Sequence, residues 1–219
     1  MKTLAILPVK AFGAAKQRLS PDVGPDPRRA LAEAMVSDVL AALAAAERLD
    51  AIVVVTADEH AAGRARATGA HVLADAAQAG QSPAAEIGIA YAVAHGYDRV
   101  ALVPGDAPLL DPAELDGLLE RAASDGPGVA IVPDRHGTGT NALLLQPPDV
   151  IAPSFGPGSF ARHRAGARAA GVAAHVEPLP TLVLDVDTKA DLERVASVLA
   201  ERPGLAPNTR AALAERAPV

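Results

Sequence analysis

"AIVVVTADEHAAGRARATGAHVLA", residues 51–74, decides the fold, because it runs from one apolar stretch to another through a segment of helical character. Residues 51–56, "AIVVVT", read as a buried strand, and residues 71–74, "HVLA", as the strand that follows. Between them Thr56 and Glu59 stand at the spacing of a capping box, and Gly69 supplies the stop. Outward from this unit the alternation repeats. Strand-like runs fall at 3–9, 99–104, 128–133, 141–146, 173–178 and 182–186. Asp26 reads as an N-cap with Pro27 at the first helical position of "RRALAEAMVSDVLAALAAAE". Pro83 and Gly96 bracket another helix, Pro112 opens the next, and Asp187-Thr188 begins one that runs to about Ala200. Buried strands alternating with helices predict a parallel α/β sheet covered on both faces. Right-handed crossovers then bring the loops after the strands to one edge, where open α/β sheets bind ligands.

The 219 residues suit one domain, and no linker divides them. Half the residues are hydrophobic, yet there are only three Phe, two Tyr and no Trp, so Ala, Leu, Val and Ile must build the core. A net charge of −6 argues against a nucleic-acid or anionic-membrane partner. Without cysteine, disulfides, thiolate metal sites and cysteine nucleophiles are excluded. Neither a signal peptide nor a membrane span is legible, and the expectation is a soluble, cytoplasmic protein. The tail from Pro203 packs as a short helix or frays.

Four loops hold residues suited to chemistry. The opening loop offers Gly13 with the cations Lys10, Lys16 and Arg18, and neither GxGxxG nor GxxxxGK[ST] is present. Read as chemistry, these cations meet a triphosphate; read blandly, they are solvated charges. In "LVPGDAPLLDP", 102–112, Asp106 directly after a buried strand is a hard-cation ligand or a turn cap, and Asp111 is the N-cap of the helix at Pro112. In "LDVDT", 184–188, Asp185 and Asp187 alternate along an extended segment and share one side, which invites a cation; Asp187 has a second reading as a helix cap. Finally, "DRHGTGTNALLL" (134–145) and "FGPGSFARHR" (155–164) bring glycines and hydroxyls beside Arg162, His163 and Arg164. Gly137, Thr138, Gly139 and Thr140 make a backbone concavity for an anion, and a helix starting near Ser159 adds its N-terminal amides. His163 is a hydrogen-bond donor or, less readily, a base.

In this order, "PVKAFGAAKQRL", "PGDAPLL", "DRHGTGTNALL", "FGPGSFARH" and "LDVDT" resemble the 2-phospho-L-lactate and phosphoenolpyruvate guanylyltransferases of coenzyme F-420 biosynthesis, over about residues 4–195. The resemblance implies a single-domain, Rossmann-like nucleotidyltransferase of GT-A-like type with a mostly parallel mixed sheet, here 1–202, followed by a tail at 203–219. It implies that Thr140, Gly156 and Ser159 hold the phosphate of the acid, and that Asp106, Asp185 and Asp187 hold Mg²⁺. Pro8, Lys10, Gly13, Lys16, Arg18 and Gly105 would wrap the triphosphate, with Asp106 and Lys16 as catalytic groups. The segment "GQSPAAEIG", 80–88, would face guanine through Gly80, Ser82 and Glu86, although Ala85-Glu86 stands where the family carries Leu-Asn.

The reaction implied is attack by the acid's phosphate on the α-phosphorus of GTP. That nucleophile is already ionised, so no general base is needed, and positioning with charge neutralisation supplies the catalysis. Phosphoenolpyruvate is favoured by the resemblance over 2-phospholactate and 3-phosphoglycerate, which present similar groups. A homodimer and a hand-off of the unstable product to a following enzyme stay open. The rival readings are a molybdopterin or sugar-phosphate nucleotidyltransferase and a non-catalytic nucleotide-binding module.

Overall fold

The computed structural model describes residues 1–14, 19, 24–123 and 126–215. Strand β1, Thr3–Val9, lies at the centre of the sheet and is flanked by β2, Ala51–Thr56, and β4, Arg99–Leu102, both parallel to it. Next to β2 runs β3, His71–Ala74. Beyond β4 come β6, Thr140–Gln146, β5, Gly128–Pro133, and β7, Ala173–Val176, giving the order β3-β2-β1-β4-β6-β5-β7. The sheet is mostly parallel and mixed, as the resemblance implies; the wholly parallel sheet read from the alternation of strands and helices is corrected at β6, which is antiparallel to both β4 and β5. The cause is loop length. Residues 134–139 are enough for a hairpin and far too few for a parallel crossover.

Alternation along the central strands sorts side chains into two cores. Ala5, Leu7 and Val54 face the layer of α1, Pro25–Ala45, α2, Glu59–Ala67, and α4, Pro112–Ala123. Leu4, Ile6, Val53 and Val55 face α3, Gln81–Ala94, and α5, Ser159–Ala169. Gly88 lets α3 lie this close: a Cβ there would stand 2.5 Å from Cγ2 of Ile6. A third cluster joins Met35 of α1 to Val195 and Leu199 of α6, Lys189–Glu201. The last helix, α7, Pro207–Ala214, is tied to the middle of α1, where the buried Asp38 carboxylate accepts from the backbone N–H of Asn208 and Thr209 at 3.1 and 2.7 Å.

Several boundaries move. Helix α1 begins at Pro25 with Gly24 as its N-cap, so Asp26 lies inside the first turn; the two prolines lack N–H groups where the helix needs none. The cap of α2 is Asp58, which accepts from the N–H of His60 and Ala61, while Thr56 accepts from Asp58 N; no Thr56–Glu59 box forms. Helix α3 starts at Gln81, ahead of Pro83. Residues 182–186 form no strand. Their backbone is held instead by a turn at Leu179 and by single bonds to neighbouring loops. No helix among the described residues is long and apolar enough to cross a membrane.

Candidate functional site

All four loops meet at the edge where β1, β2 and β4 end and where the antiparallel β6 begins. They enclose a cleft of about 860 Å³.

Its floor is acidic. After β4, Val103 N–H still donates to Ile6 O at 3.0 Å, and the chain then turns at Gly105 and Asp106. A Cβ on Gly105 would lie 3.1 Å from Val36 Cγ2, so α1 closes directly on this turn. The backbone of Asp106 does the decisive positioning: its C=O accepts from Val186 N–H at 3.1 Å. Val186 is fully buried, and in an extended segment its neighbours Asp185 and Asp187 project the other way, back over Asp106. One carboxylate oxygen from each of the three lies within 4.8 Å of the others, and all three residues are half-buried. Asp187 is not the helix cap. Thr188 caps α6 in a capping box with Asp191, whose buried carboxylate also pairs with Arg135 of the β5–β6 loop. Asn141, buried at the start of β6, donates through Nδ2 to Leu182 O at 2.7 Å and to Asp185 Oδ1 at 3.4 Å, which steadies one member of the trio.

Opposite this floor stands a wall of hydroxyls. Thr140 is buried on β6, and its Oγ1 lies 3.0 Å from Nδ1 of His163. Ser159 is 1% exposed, and among the described residues its Oγ has no hydrogen-bond partner. Both residues line the cleft together with Gly156, whose φ of +100° suits glycine. The expected backbone concavity is corrected. Asp134 fills it, accepting from the N–H groups of His136 and Thr138, and a Cβ on Gly139 would stand 2.6 Å from its Oδ2. The first amides of α5 are engaged as well, Ser159 N–H by Gly156 O and Phe160 N–H by Thr138 O. Side-chain hydroxyls, rather than this set of amides, are what the wall presents. Arg162 does not face an anion; its guanidinium binds Ser154 Oγ and the carbonyls of Ser154, Phe155 and Pro157, stapling the loop ahead of α5. Burial, and then the charge of Arg162, push the His163 imidazole down to about 4, so it is neutral at ordinary pH.

The opening loop closes one side. Pro8 and Lys10 line the cleft, and Phe12 N–H donates to Asp58 Oδ2 at 2.9 Å, so the cap of α2 also anchors this loop. Burial acts to raise the Asp58 pKa, but the N–H donors of Phe12, Ala61 and His60 leave it below its usual value. Gly13 is exposed and does not border the cleft; Lys16 and Arg18 lie outside the described residues.

The far end, beside β3, is bounded by Ala57, Asp75, Gly80 and Gln81. Ser82 and Glu86 do not line it. Helical phase explains why: Gln81 and Ala84 face the cleft, Ala85 and Gly88 face the sheet, and Glu86 faces solvent. Ser82 Oγ accepts from Phe155 N–H at 2.8 Å and so ties α3 to the hydroxyl wall. The buried Asp75, absent from the sequence reading, lines this end, with Oδ1 accepting from Gln78 N–H at 3.0 Å. A carboxylate directly after the short strand at 71–74 was the available signal, of the same kind that marks Asp106.

Comparison with known proteins follows the same lines. A family model described as "Guanylyl transferase CofC like" matches residues 3–197. A phosphoenolpyruvate guanylyltransferase of Conexibacter woesei is 49% identical over 97% of this chain and 96% of its own. A 2-phospho-L-lactate guanylyltransferase of Methanothermobacter thermautotrophicus is 37% identical over 89% of this chain and 84% of its own. Among solved structures, a Desulfovibrio desulfuricans protein described as a candidate nucleotide-diphospho-sugar transferase superposes with a TM-score of 0.78 at 21% identity, covering 98% of this chain and 95% of its own. A CMP:2-keto-3-deoxy-manno-octonic acid synthetase complexed with CTP gives 0.62 at 15% identity, covering 92% of this chain and all of its own. These two similarities bear on the fold alone.

Proposed function

The chain belongs to the CofC-like guanylyl transferase family, and on that premise we propose that it moves GMP from GTP onto the phosphate of phosphoenolpyruvate, releasing pyrophosphate. The observation that carries this reading is one cleft with two chemically opposite walls: a trio of carboxylates faces the Thr140 hydroxyl and the buried Ser159 hydroxyl, which has no partner among the described residues. The relatives' names support phosphoenolpyruvate or 2-phospho-L-lactate as the acceptor.

Asp106, Asp185 and Asp187 form an all-oxygen donor set, and three like charges held this close call for a hard divalent cation; they would hold Mg²⁺. When bound, Mg²⁺ supplies the positive charge that offsets repulsion between the two reacting phosphates. The chain's own residues do the rest. Thr140 and Ser159 donate to the acid's phosphate and fix its approach, with Gly156 giving the backbone room to come close. Lys10 meets the triphosphate across the end of β1, joined in this reading by Lys16 and Arg18. Asp75 accepts from guanine N1–H and N2–H at the far end of the cleft, where Gly80 permits close approach. An oxygen of the acid's phosphate bonds to the α-phosphorus as the bond to the β-phosphate oxygen breaks, and pyrophosphate leaves. No proton has to be removed, which fits the neutral, fully engaged His163. In this reading the enzyme works in the cytoplasm within coenzyme F-420 assembly. Its product, an unsymmetrical diphosphate joining the acid to guanosine, would pass to the next enzyme.

Competition among phosphoenolpyruvate, 2-phospholactate and 3-phosphoglycerate for GTP, with products identified by mass, tests the proposal. Guanylylated phosphoenolpyruvate as the main product supports it. Failure of all three acids to react would overturn it.

A further inference from the structure

His163 is the most deeply buried imidazole near the cleft, and the reaction above makes no use of it as a base. Its two ring nitrogens have unequal partners. Nε2 lies 2.9 Å from the backbone N–H of Ser154, and Nδ1 lies 3.0 Å from Thr140 Oγ1. A backbone N–H can only donate, so Nε2 must be the acceptor and carry no proton. In a neutral ring the proton then sits on Nδ1, and Thr140 Oγ1 accepts it. A hydroxyl that already accepts from the ring has its own hydrogen left to point elsewhere, and Thr140 lines the cleft.

We propose that His163 is a positioning residue whose tautomer, set by Ser154 N–H, fixes the Thr140 hydroxyl as a hydrogen-bond donor aimed at the phosphate of the acid substrate. The same ring bridges the two walls of the acid site. Ser154 begins the loop that contains Gly156, while Thr140 begins β6, so the ring touches both segments, and Arg162 holds the Ser154 loop independently of it. Edge-to-face contact with Phe155, at a centroid distance of 5.3 Å, holds the ring plane. The protonated ring does not fit, since it would turn an N–H toward Ser154 N–H; burial and Arg162 oppose it as well. The assignment makes the acid site selective for acceptor oxygens, as on a phosphate, over neutral donors. It rests on the reading that the acid's phosphate lies against Thr140.

Two amide replacements separate the two ring contacts. Asparagine places an N–H₂ near the position of Nδ1, and glutamine places its amide near that of Nε2. His163→Asn is expected to keep the KM for phosphoenolpyruvate within about threefold of wild type. His163→Gln should raise it roughly tenfold to a hundredfold, the scale of a lost hydrogen bond to a charged group, with the GTP KM little changed. Equal damage by both variants, spread over both substrates, would overturn the proposal and leave His163 a packing residue. Nitrogen NMR on the unaltered protein gives a check that needs no variant to fold. At pH 7, Nδ1 should resonate as protonated and Nε2 as unprotonated, and the reverse pattern or an imidazolium would sink the assignment. Thr140→Val tests the underlying reading separately. If it leaves the phosphoenolpyruvate KM unchanged while NMR finds the Nδ1–H tautomer, the acid lies elsewhere and the aim given to Thr140 falls with it.

Discussion

Replacing Asp106 by asparagine should stabilise the metal-free protein while abolishing its chemistry. Each pair in the trio has carboxylate oxygens within 4.8 Å. At an effective dielectric of about 20, two unit charges at that separation repel by roughly 3 kcal/mol. All three groups are half-exposed and interact with other groups, Asn141 among them, so solvent and these neighbours reduce the two repulsions that Asp106 makes to no more than about 1–2 kcal/mol in total. For a domain of this size that corresponds to a rise in Tm of about 2–8 °C in EDTA. Wild type should close the gap on titration with Mg²⁺, because an ion that binds only the folded state stabilises by about 1.4 kcal/mol at ten times its Kd. Asp106→Asn should gain far less, and its guanylyl transfer should fall to background. Differential scanning calorimetry with and without Mg²⁺, beside a pyrophosphate-release assay, reads all three outcomes. A lower Tm for the metal-free variant, or an equal Mg²⁺ response in both proteins, would refute the view that these carboxylates are held in mutual repulsion for a cation.

Other perturbations probe the scaffold. His163 has a pKa depressed to about 4, so the stability tied to its neutral form is fully present above its ordinary pKa and is lost as the pH falls below that ordinary value toward about 4; from pH 7.5 to 5 the loss should be about 2 kcal/mol, measured by urea unfolding, and His163→Asn should flatten this dependence. Gly88→Ala should cost about 1–3 kcal/mol through collision with Ile6, and the cost should shrink when Gly88→Ala is measured by thermal melts in an Ile6→Ala background, which lacks the colliding Cγ2. Asp58→Ala removes the cap of α2 and the anchor of Phe12 together; it should lower stability by about 1–2 kcal/mol and raise the KM for GTP more than that for the acid, and an unchanged GTP KM would separate this loop from the nucleotide.

How much of this was legible beforehand depends on how local each cause is. The strands at 51–56 and 71–74 and the helix between them follow from apolar runs and stop signals that lie within a few residues of each other. Asp106 could be picked out because a carboxylate after a buried strand is conspicuous, and the alternation of Asp185 and Asp187 announced a shared direction. The meeting of these two distant segments could not be derived from either one. It depends on the Val186 N–H to Asp106 O bond, made by a segment that looks like a strand and pairs with none. The amides of the GTGT loop differ from what their sequence suggests for a similar reason. Its glycines and hydroxyls look like an anion cradle until the backbone folds Asp134 into it, and whether an amide is free is a property of the folded loop.

Composition and periodicity therefore determined a sheet of buried strands clothed by Ala- and Leu-rich helices, because hydrophobic pattern and capping act over one element at a time. Motif order, read as resemblance, pointed to the family. Only the tertiary structure decided that β6 runs backwards, that Glu86 faces solvent while Asp75 faces the cleft, and which ring nitrogen of His163 carries the proton. Each of these is set by what another part of the chain places within hydrogen-bond reach, and proximity between residues far apart in sequence exists only after folding.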